Sequence, residues 1–169
     1  MDALSRLNAM PAAQARDELR RCCGATPWVM AMVERRPFPD APAVYRAADE
    51  VWAGLAPADW REAFAHHPRI GDKEALRVRF ASTRQWAAGE QSGVAAASED
   101  VLEALAQGNR DYEARFGHIF IVCATGKSAA QMLALLHEHL GHEPAREAEF
   151  AAAEQAKITR LRLEKLLRP

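Results

Sequence analysis

The sequence is poor in cysteine, in net charge and in long apolar runs. Only 3 of its 169 residues are cysteines, at positions 22, 23 and 123, and no two of them form a Cys-x-x-Cys pair. An odd number of thiols without that spacing argues against a disulfide framework and favours a reducing compartment. We therefore expect a cytoplasmic protein.

The formal net charge is −1, so the chain lacks the positive surplus that attracts nucleic acid. No apolar stretch approaches the ~18 residues that a membrane-spanning helix needs. The first residues also lack the basic region and apolar run of a signal peptide. Hydrophobic residues make up 49% of the chain and charged residues 27%, which is typical of a globular protein. We expect binding to neither nucleic acid nor membrane.

Residues that begin helices recur along the chain, and no repeat or linker divides it. Thr26, Asp40, Ser98 and Ser128 each stand where an N-cap side chain is expected. The run 119–124 (IFIVCA) alone has strand character, and because a lone strand has no partner, we interpret it as an extended, buried connector. The pattern predicts an all-α fold: a single compact domain of about eight helices over residues 1–169.

The segment 66–72 (HHPRIGD) places a titratable ring in a stiff loop between two predicted helices. Pro68 fixes its own φ and excludes the α region for the residue before it, so His67 is expected to be extended. A ring held in this way suits a general acid or base near neutral pH. Taken alone, the loop is more typical of a helix connector whose histidine is merely exposed.

Gly126-Lys127-Ser128 resembles the end of a phosphate-binding loop. Such a loop needs a glycine five residues before Gly126, and that position is Ile121. We therefore interpret Ser128 as an ordinary helix cap.

Three histidines near the end of a predicted helix, His137, His139 and His142, suggest a metal site. No two of them have the i, i+4 spacing of a helical zinc pair, and no cysteine or acidic third ligand stands at a suitable spacing. Histidine is also favoured at a helix C-terminus by the helix dipole. The sequence predicts a solvated helix end and no bound metal.

Arg162 falls on the apolar side of the last predicted helix, between Ile158 and Leu166, with Leu161 on that side and Arg160 opposite. A guanidinium that faces the core needs an anionic partner, because burying it unpaired is costly. The sequence favours a structural carboxylate. The carboxylate of a ligand, bound through two N–H groups, is the alternative.

Glu90 and Gln91 combine a candidate acid or base with an amide that both donates and accepts hydrogen bonds. Without other information, a surface loop is the favoured interpretation of this pair.

Taken together and in order, these segments resemble the 2-oxo-4-hydroxy-4-carboxy-5-ureidoimidazoline (OHCU) decarboxylase family. The resemblance rests on residues 67–72 (HPRIGD), 86–94 (WAAGEQSGV) and 116–128 (FGHIFIVCATGKS), with support from 7–11 (LNAMP) and 157–163 (KITRLRL). Each piece alone is unspecific, but the combination is specific and covers nearly the whole chain.

The resemblance implies an all-α lyase of purine catabolism that converts OHCU to (S)-allantoin, the last step of urate degradation to allantoin. It implies no metal or organic cofactor, and commonly a homodimer. By resemblance, His67 is the catalytic histidine and Glu90 acts with it. The positions that the resemblance assigns to substrate binding are Pro68, Ala87, Gln91, Phe120, Ile121, Val122, Cys123, Ala124 and Arg162.

One position departs from the family pattern. Family members often carry Ser where this sequence has Ala87, so a hydroxyl contact to the substrate is absent here. We hypothesise that His67 is the general acid/base, oriented by Glu90. Gln91 and backbone groups around Ile121 would bind the ring and ureido amides, and Arg162 an anionic or carbonyl oxygen.

A function of another class is a helical interaction module that docks on an acidic partner. Its surface would be the basic side of the last helix, with Lys157, Arg160, Lys165 and Arg168. Accelerated formation of a single allantoin enantiomer would select the enzyme over this alternative.

Overall fold

A computed structural model describes residues 1–68, 73–74, 76–78 and 98–168. Residues 73–74 and 76–78 are helical. The described residues contain no β-strand, which confirms the all-α prediction. Eight helices have defined bounds: α1 (Ala3–Ala9), α2 (Ala12–Cys22), α3 (Thr26–Glu34), α4 (Ala41–Ala53), α5 (Pro57–Ala65), α6 (Glu99–Phe116), α7 (Ala129–Leu140) and α8 (Pro144–Leu166).

The chain divides into two compact units that alternate along the sequence. The first unit comprises Met1–His67, Ile121–Cys123 and Ala148–Pro169, and the second comprises Pro68–Phe120 and Ala124–Glu147. Helices α1 to α5 therefore belong to the first unit, α6 and α7 belong to the second, and α8 contributes residues to both. The prediction that residues 1–169 form one domain stays a prediction.

Two tryptophans link the helices of the first unit. Trp28 of α3 is fully buried, and its indole N–H donates to the carbonyl oxygen of Ala48 in α4, at 3.2 Å. Trp52 of α4 donates its indole N–H to the carbonyl oxygen of Ala152 in α8, at 3.0 Å. Each ring is buried while its polar N–H keeps a partner, so neither incurs the cost of an unpaired donor.

Asp40, Ser98 and Ser128 cap helices as predicted, each accepting a hydrogen bond from the backbone N–H three residues later. The prediction for Thr26 is wrong, because Thr26 is the first residue of α3. Its N–H and its hydroxyl both donate to the Glu62 carboxylate of α5, at 3.0 and 2.5 Å. The Glu62 carboxylate is a stronger acceptor than the Thr26 hydroxyl would be as a cap, and its negative charge complements the positive end of the helix dipole.

A glycine allows α6 and α7 to pack closely in the second unit. A Cβ added at Gly108 would lie 2.6 Å from Cδ2 of Leu136, so a larger residue would displace that side chain. Helix α6 ends at Gly117, whose φ of 74° is the left-handed conformation common after a helix.

The segment 119–124 after α6 forms neither helix nor strand, and the prediction that it is buried holds for its centre. Ile121 and Val122 are buried, and within the described residues they pair with no strand. The N–H of Cys123 donates to the Glu154 carboxylate of α8, at 2.7 Å. Glu154 is buried and also accepts a hydrogen bond from Lys157, at 2.5 Å. The Glu154 side chain thus accepts the Cys123 N–H hydrogen bond that, in a sheet, a neighbouring strand would accept.

The buried side of α8 differs from the apolar side that the sequence predicts. Leu161, expected on the apolar side, is 42% exposed. A series of buried side chains recurs instead at intervals of four residues, and it shifts gradually around the helix because one turn has about 3.6 residues. These residues are Glu147, Ala151, Gln155, Thr159 and Leu163. Because three of these five are polar, hydrophobicity alone does not identify this side.

Helix α8 is 23 residues long, but charged residues occur throughout it. Across the described ranges, no helix combines the length and apolar character that crossing a membrane requires.

Candidate active site

The loop that carries His67 begins at the end of α5. The His67 N–H donates to the carbonyl oxygen of Phe64, at 3.2 Å. His66 lies directly against Gly24, where an added Cβ would come within 2.3 Å of the His66 Cβ. Only glycine permits this approach, so Gly24 sets the position of the loop.

The His67 ring lies against the buried side of α8. Its Nε2 is 2.5 Å from Oε1 of Gln155, a side chain with no solvent exposure. The amide nitrogen of Gln155 donates to the hydroxyl of Thr159, one helical turn further on, at 3.1 Å. Since that bond directs the amide nitrogen to Thr159 and leaves the carbonyl oxygen for the ring, His67 donates from Nε2. Sequence reasoning did not identify Gln155.

Arg162 lies on the other side of the same ring. Its Nη2 is 3.5 Å from Nδ1 of His67, at the upper limit for a hydrogen bond. Arginine has no acceptor atom, so in this contact Nδ1 is unprotonated and accepts. The two contacts direct Nε2 of the ring at the Gln155 amide oxygen and Nδ1 at a guanidinium.

The remaining contacts of Arg162 involve the C-terminal end of α2. Its Nη1 donates to the carbonyl oxygens of Arg21 and Cys22, at 3.3 and 3.5 Å. These carbonyls form the negative end of the helix dipole, which favours a nearby cation. Within the described ranges, no carboxylate lies within ion-pair distance of Arg162, so the structural partner that the sequence favoured is not found among these residues. The alternative, the carboxylate of a ligand, stays a prediction.

The two thiols at the end of α2 are unsuited to nucleophilic chemistry at neutral pH. Burial raises the pKa of Cys22 to about 12, against the opposing effect of Arg162. Burial also raises the pKa of Cys23 to about 11, although hydrogen bonds from the Ala25 backbone and from Thr159 lower it. Both thiols therefore stay protonated at neutral pH, whereas the thiolate is the reactive form. We interpret both cysteines as packing residues near Arg162 and Thr159.

The structure brings together two of the predicted site residues, His67 and Arg162. The connector residues Ile121, Val122 and Cys123 belong to the same unit, where Cys123 is bound to α8 through Glu154.

Three other predicted site residues are assigned to the second unit. Pro68 is exposed and, like Phe120 and Ala124, belongs to the second unit. There the Phe120 ring packs on Tyr112 and His139, at centroid distances of 5.0 and 5.7 Å. The other predicted site residues, Ala87, Glu90 and Gln91, lie outside the described residues.

The basic side of α8 is already engaged within the chain. Lys157 is paired with Glu154, whose hydrogen bond raises the pKa of the amine. Arg160 lies over the Tyr45 ring, 3.8 Å from its centroid, and donates to Glu164 at 3.0 Å. Two of the four residues of the alternative docking surface thus have partners, and no observation favours an interaction module over an enzyme.

The prediction of a solvated helix end is wrong for His139 and His142. His139 is only 6% exposed, and both rings contact the fully buried carboxylate of Glu147. Glu147 is the acidic residue that sequence reasoning missed, because it stands five residues after His142, across the turn into α8. Of the three histidines, only His137 is exposed.

Comparison with known proteins places these features in a family. The family model described as OHCU decarboxylase matches residues 8–164. The uric acid degradation bifunctional protein TTL of Arabidopsis thaliana is 37% identical over 150 residues, which are 89% of this chain and 46% of that protein. A 2-oxo-4-hydroxy-4-carboxy-5-ureidoimidazoline decarboxylase of Amia calva is 28% identical over 134 residues, 78% of this chain and 75% of that protein. The chain thus spans less than half of the Arabidopsis relative.

Solved structures agree with this match. An OHCU decarboxylase crystallised in the presence of (S)-allantoin is 33% identical, with a TM-score of 0.72 over 89% of this chain and 97% of that chain. An (S)-allantoin synthase has a TM-score of 0.71 over 97% of this chain and 54% of that chain, and at 18% identity it shows a shared fold alone. Because the family model matches almost the full length of the sequence, the chain belongs to the OHCU decarboxylase family.

Proposed function

We propose that this chain catalyses the cofactor-independent decarboxylation of OHCU to (S)-allantoin, the last step in the conversion of urate to allantoin. Family membership supports this proposal, as do the name of the Amia calva relative and the 33%-identical structure obtained with (S)-allantoin. The observation that carries the proposal is the His67 ring held between Gln155 and Arg162. It combines an oriented proton-transfer group with a cation that has no carboxylate partner among the described residues.

The reaction needs no electron-accepting cofactor, because the substrate itself contains an electron-accepting group. Its carboxylate adjoins a C=N group that accepts the electron pair when the C–C bond breaks and CO2 leaves. A proton then adds to one face of the ring, so one proton is taken up for each CO2 released. The protein must orient the carboxylate, stabilise the developing negative charge and control the face of protonation.

His67 is the residue to which we assign proton transfer. Its Nε2 proton is held by Gln155, so we assign proton transfer to Nδ1, which takes up a proton from solvent and delivers it to the ring face that is protonated. Gln155 fixes this tautomer through its own bond to Thr159 and acts as a positioning residue. It thereby takes part of the orienting role that we assign to Glu90 from the family resemblance.

Arg162 is the residue to which we assign the negative charge of the substrate. Its guanidinium is always protonated and offers several donors in one plane, which suits a carboxylate or an enolate-like oxygen. The two carbonyl oxygens at the end of α2 hold the group beside His67 without neutralising it. Charge that develops during decarboxylation would therefore meet a pre-oriented cation.

The further parts of the proposal rest on the family resemblance. Glu90 would act with His67, Gln91 and the backbone of 120–124 would bind the amides of the substrate, and Pro68 and Ala87 would also contribute to substrate binding. We also propose that residues 1–169 act as one catalytic domain, in a cytoplasmic homodimer. The proposal concerns the activity of this chain alone, which matches 46% of the length of the Arabidopsis relative.

The test uses freshly generated OHCU, whose disappearance is followed by ultraviolet absorbance while circular dichroism records the chirality of the allantoin. We expect the chain to accelerate the reaction and to give the (S) enantiomer alone, before and after treatment with a chelator. Racemic allantoin formed at the spontaneous rate would contradict the proposed function.

A further inference from the structure

Three side chains with metal-ligating atoms converge where α7 ends and α8 begins. His139 lies in the last turn of α7, His142 in the following turn, and Glu147 in the first turn of α8. Both imidazoles direct Nδ1 at the same carboxylate oxygen, Oε2 of Glu147, at 3.0 and 3.1 Å. The side chains are 8%, 15% and 0% exposed, so the cluster is buried and His142 forms its rim.

The spacing of these atoms fits a metal ion. The three ligand atoms lie within 4.8 Å of one another. A tetrahedral Zn²⁺ with bonds of about 2.0–2.2 Å places neighbouring ligand atoms about 3.3–3.6 Å apart. Two of the three separations are those from Nδ1 of His139 and Nδ1 of His142 to Oε2 of Glu147, at 3.0 and 3.1 Å. They need to lengthen by only a few tenths of an ångström. Two imidazoles and one carboxylate form a known zinc donor set, in which water takes the fourth position.

The surroundings orient the carboxylate as metal sites require. The hydroxyl of Tyr112 donates to Oε1 of Glu147 at 2.6 Å, which leaves Oε2 for the metal. Partners that hold a ligating side chain in this way contribute strongly to metal affinity.

Backbone contacts and aromatic rings also constrain the cluster. Arg115 of α6 donates to the carbonyl oxygen of His142, at 3.1 Å, which holds the turn in place. The rings of His139 and His142 meet edge to face at 4.6 Å, and the Phe120 ring lies 5.7 Å from that of His139. The ligands are thus pre-positioned, and little ordering accompanies metal binding.

We propose that His139, His142 and Glu147 form a binding site for a divalent transition-metal cation, with Zn²⁺ the preferred ion. The bound ion supplies the positive charge that a buried carboxylate needs. It joins the end of α7 to the start of α8, so its role is structural. The site shares no residue with the His67–Arg162 pair and does not depend on the proposed decarboxylation.

The test measures Zn²⁺ binding to the full chain by isothermal titration calorimetry near neutral pH, after removal of metals with a chelator. Co²⁺ serves as a second ion, because its visible absorption reports tetrahedral coordination. We expect one equivalent of Zn²⁺ per chain and an increase in Tm on binding, as for any ligand of the folded state. Wild-type protein that takes up no Zn²⁺ under these conditions would overturn the proposal.

The variants separate this site from adventitious binding. His142→Asn at the rim should fold normally and bind Zn²⁺ at least about tenfold more weakly, and Tyr112→Phe should lower affinity about 10- to 100-fold. His137→Asn is the matched control, since His137 lies on the same helix but is exposed. If Zn²⁺ binding is unchanged in His142→Asn, or is abolished in His137→Asn, the ion binds elsewhere and the proposed site is refuted.

Discussion

Replacing Gln155 with leucine tests whether α8 orients His67, the residue to which we assign proton transfer. Gln155→Leu keeps the approximate size of the side chain and removes both of its hydrogen bonds. His67 loses the acceptor at 2.5 Å, and Thr159 loses the donor at 3.1 Å. Because Thr159 is only 5% exposed, solvent replaces that donor poorly.

The expected effects follow from these contacts. Leaving a buried polar group without its partner costs about 1–3 kcal/mol, which lowers Tm by roughly 2–12 °C in a chain of this size. Without Gln155, the ring is free to rotate and to change tautomer, and misplacement of a catalytic group costs up to about 100-fold in rate. We expect kcat to fall about 10- to 100-fold with little change in KM, because Gln155 holds the ring rather than the substrate.

The assay compares kcat, KM and the pH profile of wild type, Gln155→Leu and Gln155→Glu. The glutamate variant keeps an oxygen acceptor for Nε2 and should retain more of the rate than leucine does. Its carboxylate also stabilises the protonated ring, so the limb of the profile that reports His67 should move to higher pH. A leucine variant with wild-type kcat, or a glutamate variant with an unmoved profile, would refute the orienting role.

Three further predictions concern other parts of the same unit. Gly24→Ala places a Cβ 2.3 Å from that of His66, and we expect urea denaturation to show a loss of about 1–3 kcal/mol together with a lower kcat; unchanged values would mean that the loop is not held there. Arg162→Lys keeps the charge but loses the planar group, so steady-state kinetics should show a higher KM or a lower kcat, and identical kinetics would assign Arg162 a structural role. The raised pKa of Cys22, about 12 when folded against 9.0 ordinarily, means that the unfolded thiol loses its proton first. Stability should therefore fall as pH rises from 9 towards 12, and Cys22→Ala should reduce that slope in pH-dependent denaturation; an equal slope in both proteins would contradict the assignment.

Local signals allowed much of the fold to be predicted. Asp40, Ser98 and Ser128 begin helices because their side chains accept from nearby backbone N–H groups, an interaction that depends only on neighbouring residues. The segment 119–124 was recognisable as a connector because an apolar run without a partner strand forms no sheet of its own. Thr26 could not be assigned correctly, because its true partner, Glu62, is 36 residues away.

The candidate site was harder to predict, because its supporting residues are polar and buried. Periodicity of apolar residues placed Leu161 towards the core, whereas the buried side of α8 is built on Glu147, Gln155 and Thr159. A polar residue becomes suited to burial only when its hydrogen-bond partner is present, and that partner comes from another helix or a loop. His67 and Arg162 were both identified, but neither their contact nor the role of Gln155 was visible in the sequence.

The central claim, that His67 transfers the proton, is tested most directly by the rate of (S)-allantoin formation by His67→Asn. Asparagine approximates the shape of the ring but has no titratable nitrogen near neutral pH, and His137→Asn provides the matched control at an exposed position. The account predicts that the control keeps wild-type activity. His67→Asn should keep the wild-type circular dichroism and Tm to within a few degrees, yet give no acceleration above the spontaneous reaction. A folded His67→Asn protein that forms (S)-allantoin at the wild-type rate would contradict the proton-transfer role of His67.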